Sequence, residues 1–466
     1  MTKTLKVALL SGLALTVASC GTVRNALPFG LGGDKEPVAT ATEGQRVSIL
    51  EFEQQLAPSA VLPGPQAVTA WSQPGGNAEN AVEHVIAAPE FTVAWRRDIG
   101  VGSANDRQVM SPVVAEDGKL FVLDGEAGVT AVDAGTGAVL WKASVKVEEA
   151  DRGRRFLGVG LGGRSGGGGF GGGVAVSGGK VFVSSGYRVM TAFDANTGTE
   201  LWRTPVDLPI HGAPTVAGQR VYVVDVDNQL MAFNVANGQQ DWSYRGITEP
   251  ARIMRASSPA VSGGTVVAPF SSGQIVALQA TNGQPVWEQV LSRTSRTSAL
   301  SELRDIAGRP VVSRGQVYAI SQSGVMQVMD LRSGQPKWSL PIVGVNQPLP
   351  VGDVVYVVSQ AGELTVVNRE TGQVYWSRDL NDGRVRKEGG FLGFGKRTVR
   401  PTWSGPILAS NRLVLVNSDG EAVAFDPKTG AQTGSLKLGS AAYIAPAAYN
   451  GALYVLTDKG QLVSIR

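Results

Sequence analysis

The fold is decided by the stretch Lys119-Leu-Phe-Val-Leu-Asp-Gly-Glu-Ala-Gly-Val-Thr-Ala-Val-Asp-Ala-Gly-Thr-Gly-Ala-Val-Leu-Trp141. It contains an apolar strand, a glycine turn, an alternating strand that ends at Asp133, the turn Thr136-Gly137, and a strand that carries Trp141. The same plan returns near the other end of the chain, in Arg412-Leu-Val-Leu-Val-Asn-Ser-Asp-Gly-Glu-Ala-Val-Ala-Phe-Asp-Pro-Lys-Thr-Gly430. A unit that recurs along a chain predicts a repeat architecture.

The turn and the tryptophan of this unit recur between the two copies. The turn dipeptides are Thr136-Gly137, Thr197-Gly198, Asn237-Gly238, Asn282-Gly283, Ser333-Gly334, Thr371-Gly372 and Thr429-Gly430. The tryptophans that follow them are Trp141, Trp202, Trp242, Trp287, Trp338 and Trp376, while Gly434 takes the last slot. Glycine tolerates the positive φ of a tight turn, and an indole at a fixed position can fill the gap between neighbouring sheets.

A further short strand, marked by proline, precedes most units and makes four strands per unit. Such strands are Ser111-Pro-Val-Val114, Ala213-Pro-Thr-Val216, Ser258-Pro-Ala-Val261, Gly405-Pro-Ile-Leu408 and Ala445-Pro-Ala-Ala448. Repeated four-stranded units without helical spacers predict an all-β fold, a β-propeller. Seven blades are complete, and an eighth begins at Ala445 but reaches Arg466 without a tryptophan strand. Residues 91–98, which include Trp95, supply that strand, so we expect an eight-bladed ring closed by its N-terminal strand.

Composition agrees with a turn-rich all-β protein. Sixty glycines and only 17% charged residues among 466 argue against a helical bundle or a disordered chain. The formal net charge is +3, and removing Lys3 and Lys6 with a leader would leave 42 − 2 = 40 basic against 39 acidic residues. This balance does not point to nucleic acid or another polyanion as a partner.

The N-terminus reads as a lipoprotein signal peptide over residues 1–19. Lys3 and Lys6 precede the apolar run Val7–Val17, which is too short to span a bilayer stably. The run ends in Val17-Ala-Ser-Cys20-Gly21, which resembles the bacterial lipobox, and Cys20 is the sole cysteine of the chain. The resemblance implies that Cys20 is lipidated and that Gly21 directs the protein to the outer membrane. A soluble secreted protein with an incidental cysteine is the alternative.

Residues 20–90 are expected to form a lipidated, flexible linker before a propeller domain of residues 91–466. They are rich in Gly, Pro, Ala, Thr and Gln and have few periodic apolar positions. Residues 47–56 differ, with near-helical apolar spacing that predicts a short helix, either transient or in contact with a partner. Two insertions between blades, residues 156–173 and 384–400, combine glycine with aromatic residues and are expected to be loops.

The block of strand, aspartate, Thr-Gly and tryptophan resembles the repeat named for pyrroloquinoline quinone (PQQ). The resemblance covers Trp95 to Arg466. With eight such blades, a lipobox and no cofactor apparatus, the chain is similar to the BamB family, subunits of the outer-membrane β-barrel assembly (BAM) machinery. That resemblance implies a non-enzymatic scaffold without a cofactor, lipid-anchored on the periplasmic face of the outer membrane. Its partners would be the POTRA domains of BamA, other BAM subunits and unfolded outer membrane protein precursors.

The same resemblance implies two partner-binding loops. One loop of the family carries apolar residues beside an arginine, and Leu208, Ile210 and His211 lie in the corresponding place. His211 departs from the pattern, because imidazole lacks the forked guanidinium that binds a carboxylate bidentately. A second loop, with Arg304 and Asp305, resembles the acidic loop of the family. Both loops also fit ordinary connecting structure.

The strongest competing function is a PQQ-dependent dehydrogenase, which uses this same fold. Such enzymes are similar in binding calcium in the central channel and often in stacking the cofactor on a vicinal disulfide, which a single cysteine cannot form. The aspartates of the repeats, Asp133, Asp194, Asp330 and Asp426, are explained as caps of their turns. With two histidines, His84 and His211, a metal site is not indicated. A propeller that binds a ligand in its channel stays open as a third interpretation.

Cys20→Ala provides a test of the lipid anchor. We expect this variant to lose labelling by radioactive palmitate and to keep its uncleaved leader, because it has no thiol to acylate. Ser19→Ala is the matched control, since it keeps the thiol and a small residue before it. A Cys20→Ala protein that is still labelled by palmitate would contradict the lipobox interpretation.

Overall fold

The computed structural model describes residues 60–104, 107–146, 171–248, 257–291, 305–388 and 397–466. The predicted signal peptide, Cys20, the 47–56 segment, Arg304, residues 156–170 of the first insertion and residues 389–396 of the second lie outside these residues. Regular structure in the described part consists of β-strands. None of its elements is a helix long and apolar enough to cross a membrane.

The first half of the propeller begins with β1 (Val93–Asp98) and continues with blades 1 to 4, each a four-stranded antiparallel sheet. Blade 1 consists of β2 (Val114–Glu116), β3 (Lys119–Leu123), β4 (Gly128–Asp133) and β5 (Val139–Ser144). Blade 2 consists of β6 (Gly172–Ser177), β7 (Lys180–Ser185), β8 (Val189–Asp194) and β9 (Glu200–Pro205). Blade 3 consists of β10 (Thr215–Ala217), β11 (Arg220–Val224), β12 (Gln229–Asn234) and β13 (Gln240–Arg245). Blade 4 consists of β14 (Ala260–Ser262), β15 (Thr265–Pro269), β16 (Gln274–Gln279) and β17 (Pro285–Val290).

The second half follows the same plan. Blade 5 consists of β18 (Val311–Ser313), β19 (Gln316–Ile320), β20 (Met326–Asp330) and β21 (Pro336–Leu340). Blade 6 consists of β22 (Leu349–Val351), β23 (Val354–Val358), β24 (Glu363–Asn368) and β25 (Val374–Asp379). A hairpin of β26 (Arg386–Glu388) and β27 (Arg397–Val399) precedes blade 7, which consists of β28 (Trp403–Ala409), β29 (Arg412–Asn417), β30 (Glu421–Phe425) and β31 (Gln432–Lys437). Blade 8 consists of β32 (Ala447–Tyr449), β33 (Ala452–Leu456), β34 (Gln461–Ile465) and β1.

The ring closes as the sequence predicts. Strand β1 pairs antiparallel with β34, with Trp95 opposite Ser464 and Asp98 opposite Gln461. Blade 8 therefore combines three strands from the C-terminus with one from the N-terminal part of the propeller. This pairing confirms the eight-bladed fold and its closure by the N-terminal strand.

Each tryptophan strand docks on the next blade. The ring of Trp141 in blade 1 lies against Gly198 in blade 2, where a Cβ would come within 2.7 Å of the indole. Trp141 Nε1 also donates a hydrogen bond to the backbone carbonyl of Ala195 at 3.0 Å. The same bond to the following blade is made by Trp202, Trp242, Trp287 and Trp338. Trp95 Nε1 donates instead to Gly135 O at 3.1 Å, since the equivalent carbonyl, that of Ala134, accepts from the Tyr454 hydroxyl at 2.9 Å. The predicted filling of the gaps between blades by indoles is confirmed.

Trp376 departs from this pattern between blades 6 and 7. It is buried, and its Nε1 has no hydrogen-bond partner among the described residues. The carbonyl of Pro427, which stands in the position of the usual acceptor, instead accepts a hydrogen bond from the Tyr356 hydroxyl at 2.9 Å. Burial raises the pKa of this phenol above its ordinary value. The hydrogen bond between these two blades is thus made by a tyrosine hydroxyl in place of the indole.

Phe91 fills the junction at which the repeat has glycine instead of tryptophan. It is buried, and its ring lies 3.5 Å from the position that a Cβ on Gly434 would take. Phe91 directly precedes the closing strand β1. The final junction is therefore filled from the N-terminal side of the propeller.

Aspartates cap the turns, as expected. Asp133 Oδ1 accepts hydrogen bonds from Gly135 N at 3.1 Å, Thr136 N at 2.8 Å and Thr136 Oγ1 at 2.7 Å. These bonds favour the ionised carboxylate and lower its pKa. Asp194, Asp330 and Asp426 make equivalent bonds. Their recurrence at one blade position is explained by turn geometry.

The prediction of a flexible linker over residues 20–90 is wrong for residues 60–90. This segment is held in the propeller: Trp71, Val85 and Ala87 are buried, as is His84, which was expected in the linker. Trp71 and Ala115 of β2 exchange two backbone hydrogen bonds of 2.8 Å. We call residues 71–88 the inner coil. Its main chain, with the side chains of Gln73 and Glu83, satisfies backbone groups of the blades, so the segment needs no apolar period.

Trp287→Phe should lower the free energy of unfolding more than Trp376→Phe. Both indoles are buried, so both variants lose similar packing, but only Trp287→Phe leaves a carbonyl, that of Leu331, without its donor. A carbonyl deprived of its bond costs about 1 to 3 kcal/mol. Urea denaturation followed by far-UV circular dichroism measures the difference. Equal losses would contradict the role given to the indole hydrogen bond.

Candidate partner-binding site

Connections between successive blades lie on one face of the ring, which we call the connection face. Each leaves beside the turn that joins the second and third strands of its blade, as shown by the backbone bonds from Val206 N to Arg188 O and from Gly246 N to Asn228 O. The opposite face, the hairpin face, carries the turns between first and second strands and between third and fourth strands. Both predicted partner-binding loops belong to the connection face.

The loop after β9 joins blades 2 and 3 and is fixed by its backbone. Ile210 N donates to Ser185 O at 3.3 Å, and Pro209 O accepts from Val226 N at 3.0 Å. Leu208 is half-buried between these anchors. His211 is also half-buried and lines the central cavity, and its carbonyl accepts from Gly172 N at 3.0 Å. The loop thus presents Leu208 and His211 in a rigid frame.

Ile210, in contrast, is not part of the accessible surface. Its side chain is 0% exposed and packs in the cluster that contains Phe182, Trp202 and Met231. Leu208 stays half-buried, whereas Ile210 is inserted at the junction of blades 2 and 3. Ile210 therefore anchors the loop by packing against blades 2 and 3 and does not offer a contact surface to a partner.

The second predicted loop ends at the start of blade 5. Asp305 is buried, its carbonyl accepts a hydrogen bond from Gln322 N at 2.9 Å, and the neighbouring Ile306 packs in the core. Arg304 lies outside the described residues. The two loops are not one cluster, since blades 3 and 4 separate them along the ring.

A cavity of about 550 Å³ occupies the centre of the ring. Trp71, Pro74 and Val82 of the inner coil line one end, and His211 and Arg309 line the side of the connection face. The polar groups in its wall bond to one another and to backbone. They do so through Arg309 Nε to Gln347 Oε1 at 2.9 Å, Gln347 Nε2 to Asn80 O at 2.6 Å, Asn346 Nδ2 to Trp403 O at 3.0 Å and Ser404 Oγ to Tyr443 O at 2.8 Å. Burial, with Asp458 and Asp419 nearby, raises the pKa of the Tyr443 phenol.

Exposed apolar side chains on the connection face were not identified from the sequence. Beyond the half-buried Leu208 after blade 2, such residues follow or end the tryptophan strands of blades 3 to 5 and recur in the next two connections. They are Ile247, Val290, Val343, Val385 and Tyr443. The signal that would have found them is an apolar residue within a few positions of the end of a fourth strand. Isolated surface apolar residues are common, so it is the recurrence of these residues on one face that makes the connection face a candidate interaction surface.

The basic insertion of residues 384–400 also emerges on this face, where its ends form the β26–β27 hairpin. Arg384 bonds to Glu421, and Arg386 pairs with Asp419 through two bonds of 2.8 Å. Arg384 Cζ also lies 5.4 Å from the centre of the Trp403 ring. Much of the positive charge at the base of the insertion is thus used to hold the hairpin on blade 7. Within the described residues, no group of three or more His, Cys, Asp or Glu residues is placed to hold a metal ion.

An eight-bladed ring of tryptophan-docked PQQ-like repeats, closed by its own N-terminal strand, defines the class of protein. The chain belongs to the family of the outer membrane protein assembly factor BamB, whose sequence profile matches residues 79–157 and 125–378. The BamB of Yersinia pestis is 29% identical over 255 residues, which are 55% of this chain and 62% of that protein. The BamB of Burkholderia pseudomallei is 26% identical over 359 residues, 72% of this chain and 87% of that protein.

Solved structures show the same fold in proteins of different function. BamB from Moraxella catarrhalis aligns with a TM-score of 0.63 at 18% identity, covering 80% of this chain and 99% of that one. The quinohemoprotein alcohol dehydrogenase from Comamonas testosteroni aligns with a TM-score of 0.62 at 15% identity, covering 86% of this chain and 80% of that one. At these identities the likeness concerns the fold alone, so the function has to be argued from the site and the family.

Ile210→Asp and Leu208→Asp should differ sharply in stability. The first places a carboxylate in a fully buried apolar cluster, which costs several kcal/mol, about 3 or more. The second changes a half-buried loop residue and should cost about 1 kcal/mol or less. Thermal unfolding of the two purified variants tests this. A stable Ile210→Asp protein would show that the loop can turn this residue outward.

Proposed function

We propose that the protein is a non-enzymatic scaffold subunit of the BAM complex that binds the POTRA domains of BamA through its connection face. In this role it assists the folding and insertion of outer membrane proteins. Membership of the BamB family supports the complex. The observation that carries the choice of face is the recurrence of apolar side chains in successive connections, from Leu208 to Tyr443.

The exposed apolar residues of the connections suit a protein partner because their backbone is held rigidly. Ile247 is 58% exposed and Val343 is 40% exposed, and both are carried by backbone fixed to neighbouring turns. The carbonyl of Ile247 accepts a bond from Asn228 Nδ2, and that of Val343 accepts from Gln360 N at 2.8 Å. Side chains on rigid backbone lose little entropy on binding, so even a small apolar patch contributes to affinity.

Polar groups at the same face would set specificity. His211 stands at the mouth of the cavity beside Leu208, and Asp305 lies two connections further along the ring. Neither imidazole nor a buried carboxylate reproduces a bidentate arginine contact. We therefore assign recognition mainly to the apolar residues, with His211 and Arg304 as secondary contacts, while the buried Asp305 would hold its loop in place.

A lipid anchor at Cys20 would hold this scaffold at the periplasmic face of the outer membrane. Because residues 60–90 pack in the propeller, the tether between lipid and folded body is at most residues 20–59, shorter than composition suggested. Tethering raises the effective concentration of the face near a membrane-embedded partner, so a modest interface suffices.

Direct contact with barrel precursors would use the outer edges of the blades. The fourth strands have one unpaired edge, and apolar residues are exposed on several, including Val139 and Leu140 on β5 and Leu201 on β9. An extended chain can add to such an edge by main-chain hydrogen bonds. This contact is independent of the connection face and can be tested separately.

Leu208→Asp combined with Ile247→Asp and Val343→Asp should abolish co-purification of BamA. Each substitution places a carboxylate in the proposed apolar interface, where binding of the partner would desolvate it. None of the three residues belongs to a core cluster, so the fold should survive. The measurement is affinity purification through a C-terminal tag from membranes of the source bacterium, with mass spectrometry of the bound proteins.

Leu201→Asp on β9 is the matched control, because Leu201 is also exposed but lies on an outer strand. It should retain BamA and, if the outer edges bind precursors, recover fewer unfolded barrel proteins. Undiminished BamA recovery by the triple variant would reject the connection face. Recovery of a quinone, calcium or a redox partner by the unaltered protein, without BamA, would favour the dehydrogenase instead.

A further inference from the structure

The inner coil makes one circuit of the ring and contacts the first strand or the first turn of the blades in order. The blade residues in this circuit are Ala115, Val176, Val216, Val261, Val312, Gly352, Leu408 and Gly451, for blades 1 to 8. The corresponding coil residues are Trp71, Ser72, Gln73, Ala78, Glu79, Glu83, Val85 and Ala88. We call the ring of first-strand ends at the hairpin face the hub.

Main-chain groups provide most of this contact. Val176 N donates to Ser72 O at 2.8 Å, and Val261 N donates to Ala78 O at 2.7 Å. The side-chain amide of Gln73 bonds both to Val216 O, at 2.6 Å, and to Val216 N, at 3.0 Å, as the backbone of a neighbouring strand would. The hub therefore recognises an extended peptide, in the manner of a sheet edge.

Glu83 adds ionic contacts between the inner coil and the blades, which we call the lock. Its carboxylate accepts from Gly352 N at 3.0 Å and pairs with Arg369 at 3.4 Å and Arg314 at 3.1 Å. Arg369 is only 2% exposed and lies over the Tyr318 ring, with Cζ 5.5 Å from its centre. A buried guanidinium without its carboxylate is strongly unfavourable, so Glu83 and the blades depend on each other.

His84 bonds the inner coil to blade 7 and to Pro63, which precedes the coil. Its Nε2 accepts from Asn411 N at 3.0 Å, and Nδ1 lies 2.6 Å from Pro63 O. The ring is therefore the neutral tautomer with the proton on Nδ1. Beyond the coil, Pro89 and Glu90 are exposed and lead to the closing strand β1.

We propose that the hub is a peptide-binding site that the chain fills with its own residues 71–88, as a separable clasp that joins the eight blades. The ligand class is an extended peptide with small or polar side chains and one carboxylate in the place of Glu83. The clasp covers the inner edges of the blades and closes the cavity from the hairpin face. Ligands and chains therefore reach the cavity from the connection face. This inference does not rest on the proposed function.

Cleavage of the full-length protein between Pro89 and Glu90, at an inserted protease site, tests separability. The nicked protein should keep both fragments together on gel filtration in native buffer and release the coil in urea. Its melting temperature should rise with protein concentration, because the clasp has become a second molecule. Loss of the N-terminal fragment in native buffer, with the melting temperature of the ring unchanged from the uncut protein, would overturn the proposal.

Exchange of a fluorescent synthetic peptide of residues 60–89 into the nicked protein tests recognition. Peptide Glu83→Gln should bind at least about tenfold more weakly, since the buried Arg369 loses its counter-charge. Peptide Ile86→Ala is the matched control and should bind within about twofold, because Ile86 is 43% exposed. A scrambled peptide that binds equally well would overturn the proposal.

Hydrogen exchange in the uncut chain provides a readout that does not depend on the inserted site. The amides of Gly352 and Ser410 donate to the coil, at Glu83 Oε2 and Val85 O. Glu83→Gln in the full chain should speed their exchange relative to amides within β23 and β29. Unchanged protection at both positions would show that the clasp does not depend on this lock and would count against the proposal.

Discussion

One interaction organises this molecule: in seven of the eight blades an indole on the outer strand docks on the third-to-fourth-strand turn of the next blade. The contact combines a tryptophan with a glycine that leaves room for its ring and, at every junction except that of Trp376, with a turn carbonyl that accepts from the indole. At Trp141 these are Gly198 and the carbonyl of Ala195, in a turn capped by Asp194. Because a blade is completed by its neighbour, the ring is stable only when its last blade also finds an indole or a substitute. Trp95 and Phe91, both from the N-terminal side, meet that need.

Closure of the ring leaves two sets of strand edges, the inner edges of the first strands and the outer edges of the fourth strands. The inner edges are covered by the inner coil, whose main chain replaces the missing neighbouring strands. Among the described residues, no further strand pairs with the outer edges, which carry several exposed apolar residues. An uncovered edge is a liability in a β-protein. The proposed contact with unfolded barrel precursors would use these edges.

The two faces of the ring also differ in how much change of sequence they tolerate. The hairpin face is occupied by short turns and by the clasp, so it has little freedom to vary. Connections on the opposite face only have to return the chain to the centre, and they accept insertions such as residues 384–400 while the eight-bladed ring is kept. The proposed recognition surface thus lies where the backbone tolerates change and where Ile247 and Val343 stand exposed. Similar folds in dehydrogenases show that this arrangement does not by itself specify a chemistry.

The amino-acid sequence by itself determined the period, the eight blades, their capped turns and the closing strand, because turn glycines, caps and docking indoles are local and repeat in every blade. It also pointed to the loop of Leu208 and His211. Only the tertiary structure decided that Ile210 faces inward, since a loop side chain is buried or exposed according to the blade beside it. The same holds for residues 60–90. A glycine- and proline-rich segment without apolar period has the composition of a tether, and it becomes a clasp only because eight first strands, brought together by the ring, present unpaired backbone groups along its path.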